Sequence, residues 1–129
     1  MIEDTKAVKD LSFFQKYFLV LLSIILVISL FFLRNGFKAN AMLDELAKTS
    51  LLPEKALSNG KPTVFEFYAD WCEACKEMAP DMIELKKQTS NKVDFVLLNV
   101  DNPRWVDLIN KYDVNGIPKL TFFDDKGVF

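Results

Sequence analysis

Between Tyr17 and Leu33 the chain reads YFLVLLSIILVISLFFL, 17 residues without a charge, Pro, Gly, Asn or Gln. As a helix this run covers about 26 Å at roughly 1.5 Å per residue. That is close to the hydrocarbon thickness of a bilayer, about 30 Å. Lys16 and Arg34 bracket the run and suit the two headgroup layers. A helix buried in a soluble core would normally carry a polar stripe, and Ser23 and Ser29 do not make one. A retained transmembrane anchor is therefore expected at 17–33, after an N-terminal tail at 1–16. A cleaved signal peptide is the rival, because Ala39-Asn40-Ala41 has the small-x-small form of a cleavage site. Against it, the run exceeds the usual length of about 7–15 residues, and Arg34 and Lys38 separate it from the site. Lys6, Lys9 and Lys16 before the span balance Arg34, Lys38 and Lys48 after it, so charge does not orient it.

The rest of the chain, C-terminal to this run, has room for one small domain. The whole chain carries 16 basic and 18 acidic residues, a formal net charge of −2, which lacks the basic signature of a nucleic-acid binder. It contains no His, which excludes His-based acid–base chemistry, His metal sites and Ser-His or Cys-His pairs. Its two Cys are too few for a disulfide-built scaffold.

Residues 34–51 are expected to form a linker and a short helix, with Leu43, Leu46 and Ala47 at loosely helical spacing. Leu52-Pro53-Glu54 starts a helix that Asn59-Gly60 ends. Thr63 to Tyr68 is a continuous aromatic and β-branched run, the pattern of a strand buried on both faces. Cys72 to about Gln88 reads as a helix with Cys75, Met78, Ala79, Met82, Ile83 and Leu85 on one side; Pro80 should kink it. Val93 to Val100 is a second buried strand. Asp101-Asn102-Pro103 caps a third helix, in which Trp105, Leu108, Ile109 and Tyr112 share a face. Leu120 to Phe123 is a third strand, and Val128-Phe129 should begin a fourth after a turn. The alternation indicates an α/β sandwich whose first two strands are parallel neighbours.

Chemistry concentrates at Trp71-Cys72-Glu73-Ala74-Cys75-Lys76. A structural zinc site needs about four ligands, and no third Cys or His is present. Haem attachment needs His directly after the second Cys, where Lys76 stands. Dithiol redox chemistry needs only the pair, placed between a strand and a helix, with no metal and no cofactor. Cys72 would sit at the helix N-terminus, where free N–H groups and the positive dipole end stabilise a thiolate. It is the expected nucleophile, and Cys75, one turn on and facing inward, would resolve the mixed disulfide. Glu73 should disfavour the neighbouring thiolate and make the couple more reducing.

Glu66 is a carboxylate inside an otherwise apolar strand. Either it reaches an exposed edge or a Lys, or it accepts the proton of Cys75 during resolution. Gly116-Ile117-Pro118 is a tight turn before a strand and has room for a cis bond.

Taken together, Phe67 to Lys76, Pro80 and Gly116-Ile117-Pro118 resemble the thioredoxin superfamily, in that order and spacing, over roughly Leu52 to Phe129. With the preceding anchor, the chain is similar to its membrane-anchored branch of the cyanobacterial and thylakoid TxlA type. The resemblance implies a thioredoxin-like α/β fold: three layers, α/β/α, around a central mixed sheet. The domain would span 52–129, be truncated at the C-terminus and be preceded by one transmembrane helix. It implies attack by Cys72, resolution by Cys75 through a Cys72–Cys75 disulfide, and a proton-accepting role for Glu66, where thioredoxins place Asp. It also implies client contacts at Trp71, Ile117 and Pro118. The resemblance further implies a reductant on the lumenal or periplasmic side of a thylakoid or plasma membrane, with the 1–16 tail on the cytoplasmic or stromal side. Its partners would be protein disulfide clients, in cytochrome biogenesis or complex assembly, and a transmembrane thiol donor of the CcdA type. A non-redox assembly factor and an extracytoplasmic oxidant are the alternatives. Four departures stand out: Glu73-Ala74 replaces Gly-Pro, Glu66 is longer than Asp, Lys119 replaces the usual Thr, and the chain stops before the rest of the last strand and a final helix, as expected of a fragment rather than of a sheet face covered by a partner.

Overall fold

The computed structural model describes residues 2–89 and 91–129, with side chains from Phe13 onward. The first helix, α1, runs Ile2–Lys48. Residues up to Phe37 form one unit, and Lys38–Phe129 form another. In the first unit every described side chain is exposed. Its length and composition suffice to cross a membrane, and a signal sequence would meet the same criterion. Ser23 is accommodated because its hydroxyl donates to the Val20 carbonyl at 2.7 Å.

The expected linker at 34–51 is instead helical as far as Lys48. Gly36 weakens a helix by about 1 kcal/mol, which does not outweigh the helix-forming residues Ala39, Ala41, Met42 and Leu43. In the second unit, the last turns of α1 bury Leu43 and Leu46 against the sheet. Pro53–Leu57 forms α2, started by Pro53 and ended before Gly60, whose φ is 77°.

The sheet has the order β2-β1-β3. β1 (Thr63–Tyr68) lies in the centre, with all six residues buried. β2 (Asp94–Asn99) pairs with it in parallel, Glu66 opposite Leu97. β3 (Lys119–Phe123) pairs antiparallel, Glu66 opposite Leu120. Strand alternation sends Val64 and Tyr68 to one face and Phe65 and Phe67 to the other. The first face packs on the end of α1 and on α3 (Glu73–Gln88), through Cys75, Ala79 and Met82. The second packs on Ala56 of α2 and on the Trp105, Leu108, Ile109 and Tyr112 stripe. The result is the three-layer α/β/α sandwich with a mixed sheet.

Local differences have local causes. Leu85 is exposed, because the inner row of α3 passes from Met82 to Lys86, whose ammonium donates to Thr49 Oγ1 at 2.7 Å. The third helix opens as a 3-10 turn, Pro103–Trp105, before α4 (Val106–Lys111). Its cap is Asn102, which accepts from Arg104 N at 3.0 Å. After β3 the chain turns: Asp124 Oδ1 takes the Val128 N–H at 2.8 Å, and Asp124 N donates to the Val128 carbonyl at 3.0 Å. Gly127 holds that turn at φ 72°, and a Cβ there would fall 2.7 Å from the Leu57 carbonyl oxygen. Gly127→Ala combines a left-handed backbone with a main-chain clash and should cost about 2 kcal/mol. Thermal unfolding should register this as a midpoint lower by about 10 °C.

Candidate redox site

The site is built where β1 ends and α3 begins. Cys72 is the N-cap of α3, in extended conformation at φ −80° and ψ 102°. Its sulfur accepts the Cys75 N–H at 3.2 Å, so it already occupies the position of a capping anion. Cys72 and Cys75 are joined as a disulfide, with Cα atoms 5.3 Å apart. Their access to solvent differs: Cys72 keeps 6% of its surface and Cys75 none. Of the two, Cys72 is the more accessible and Cys75 is sealed.

Glu73 is exposed and pairs with Lys76 at 2.7 Å, one turn along the helix. This ammonium offsets part of the repulsion that Glu73 exerts on a thiolate at Cys72.

Glu66 does not reach an edge or a lysine. It lies on the central strand, 0% exposed, between Leu97 and Leu120 on the flanking strands. Alternation places it between Val64 and Tyr68, on the face that packs against Cys72, Cys75 and Ala79. Neither carboxyl oxygen has a hydrogen-bond partner among the described residues. Burial pushes its pKa up to about 7. Tyr68, next on that face, is raised first by burial and then by the Asp70 charge, against a hydrogen bond with Asn99.

The Ile117-Pro118 bond is cis. Ile117 packs against both cores, including the cluster that contains the two cysteines. Trp71 is 65% exposed, and its indole N–H donates to Asp101 Oδ2 at 2.9 Å. Asp101 N donates in turn to Asn99 Oδ1 at 2.9 Å. Among the described residues no group of three or more His, Cys, Asp or Glu could hold a metal ion.

The thioredoxin family model matches residues 32–128. The chain belongs to the thioredoxin family. It is 52% identical over 85 residues to "Thioredoxin-like protein HCF164, chloroplastic" of Arabidopsis thaliana, a match covering 66% of this chain and 33% of that protein. It is 47% identical over 85 residues to "Thiol:disulfide interchange protein TxlA homolog" of Synechocystis, covering 66% and 47%. TxlA of Synechococcus elongatus is 40% identical over 89 residues, covering 69% and 47%. The chain thus spans a third to a half of the length of these relatives.

Within this thioredoxin domain, the sequence pattern pointed to Asp101 only as part of a helix cap. Its contact with Trp71 comes from strand topology: the carboxyl ends of parallel neighbours β1 and β2 lie side by side, so residues 30 positions apart meet. The one available signal was the pair of polar residues, Asp70 and Asp101, just after each buried strand.

Proposed function

We propose that this chain is a membrane-tethered thiol–disulfide oxidoreductase that reduces disulfides of protein clients on the lumenal or periplasmic side. The observation that carries the reading is the unequal pair: Cys72 at the helix cap, keeping 6% of its surface, bonded to a sealed Cys75. Relatives named as thiol:disulfide interchange proteins support it, and the exposed apolar stretch of α1 supports the tether.

In the reduced form the Cys72 thiolate attacks one sulfur of the client disulfide. A mixed disulfide forms and one client thiolate leaves. Cys75 then gives its proton to Glu66 and attacks the Cys72 sulfur, releasing the second client thiolate. Two electrons pass from the dithiol to the client, and Cys72–Cys75 is left oxidised. Trp71, Ile117 and Pro118 hold the client segment, Ile117 by main-chain bonding. A transmembrane thiol carrier of the CcdA type returns the electrons, and the clients belong to cytochrome or complex assembly. The domain is anchored through 17–33 in a thylakoid or plasma membrane.

Equilibration of the full chain against thiol buffers tests the direction of flow. A potential near about −270 mV is that of a reductant, and one near about −120 mV that of an oxidant. The reducing value is expected. Glu73→Ala should move it upward by on the order of 10 mV, since removing the carboxylate favours the thiolate and hence the reduced form. A wild-type value near the oxidant end would overturn the proposed direction.

A further inference from the structure

Lys119 is the first residue of β3 and directly follows Pro118. Its ammonium donates to two main-chain carbonyls, Tyr112 O at 2.6 Å and Asp113 O at 2.7 Å. Both lie at the carboxyl end of α4, where the last carbonyls lack helical partners and the dipole end is negative. A cation there satisfies two acceptors through charge-assisted bonds. Tyr112 is itself held in place, its ring lying 6.1 Å from Phe65, 6.3 Å from Phe67 and 5.5 Å from Phe123 between centroids. Beyond it, Asp113 adopts φ 50°, and Val114 N returns to Ile109 O at 3.0 Å. One side chain thus joins the two ends of the 113–118 loop. Within that loop Gly116 has open space around it, while Ile117 packs against both cores.

We propose that Lys119 is a positioning residue that presents the Ile117-Pro118 backbone to protein clients. This rests on the oxidoreductase reading above and gives Lys119 no part in the sulfur chemistry. A disulfide within a polypeptide reaches Cys72 in line only when its segment is held, and main-chain bonding to a loop holds it only if the loop is fixed. A small disulfide has no such segment and reacts by collision with Cys72 alone. Loss of the clamp therefore separates two classes of substrate.

The full chain, reduced and in detergent, is assayed against insulin and against the small aromatic disulfide dithiobis(nitrobenzoate). Lys119→Met keeps the length of the stem and removes the donors. Its second-order rate constant for single-turnover oxidation by excess insulin should fall about tenfold, mainly through a higher half-saturating insulin concentration, because a shift of a fraction of an ångström in a docking loop is felt at that scale. Its rate with the small disulfide should stay within about twofold of wild type, and Lys119→Arg, which keeps donors and charge, should recover most of the insulin activity. Unchanged insulin kinetics in Lys119→Met would overturn the proposal. So would parallel loss on both substrates in Lys119→Met and Lys119→Gln alike, which would place the residue in the fold as a whole. A wild type that reduces neither disulfide would instead overturn the oxidoreductase reading itself.

Discussion

Replacing Cys75 with Ser should leave a client covalently attached to Cys72, whereas replacing Cys72 with Ser should capture nothing. The difference follows from exposure. Cys72 retains 6% of its surface and Cys75 none, so in the proposed mechanism Cys72 is the sulfur that meets the client. In Cys75→Ser the first exchange proceeds and stalls, because no second thiol displaces the client. In Cys72→Ser the capping position carries a hydroxyl, which is not ionised near neutrality, and reduction of insulin should fall by roughly a thousandfold or more. Non-reducing electrophoresis after mixing with a client reads both outcomes. A mixed disulfide in Cys72→Ser, or turnover in that variant near the wild-type rate, would reverse the assigned roles or remove the cysteines from the function.

Glu66→Gln should have the next largest effect, and in two opposite directions. The carboxyl is held at about 7 from the ordinary 4.5 by burial, between Leu97 and Leu120. Because the folded state holds the proton more tightly than the unfolded chain, wild-type stability is fully present below pH 4.5 and declines as pH rises to about 7. The total decline attributable to this group is about 3 kcal/mol. Glu66→Gln does not ionise, so urea unfolding measured across that window should lose the slope, and the variant should be the more stable protein at pH 8. Turnover should move the other way. Without the carboxylate Cys75 loses its proton acceptor, and the resolving step should slow by about a hundredfold, within the usual range for a general base. The mixed disulfide should then accumulate in Glu66→Gln, though not permanently as in Cys75→Ser. A stability slope identical to wild type would place the titrating group elsewhere.

Much of this site is legible in the order of residues. The apolar run, the buried strand before Cys72, the helix after it and the turn before Pro118 are written in patterns a few residues long. The cysteine pair could be given a chemistry because neither zinc nor haem attachment had the ligands it needs. Leu85 was misplaced for a local reason: its neighbour Lys86 took the place on the inner row of α3 and reaches Thr49.

Although the 34–51 stretch, expected as a linker, is helical to Lys48, local patterns alone specified the three strands, the helix after Cys72 and the cap at its start. These are set by side-chain period, capping chemistry and burial of apolar faces, each decided by neighbours within about one helical turn. It took the packed fold to establish that the Glu66 carboxyl has no hydrogen-bond partner among the described residues, that Trp71 is held by Asp101, and that Lys119 clamps the end of α4. Two of those three depend on residues brought beside one another by strand order: β1 lies between a parallel and an antiparallel neighbour, so Leu97 and Leu120, some 30 and 50 positions away, enclose one carboxyl, and Asp101 reaches Trp71. The third spans a loop whose path its own residues do not dictate.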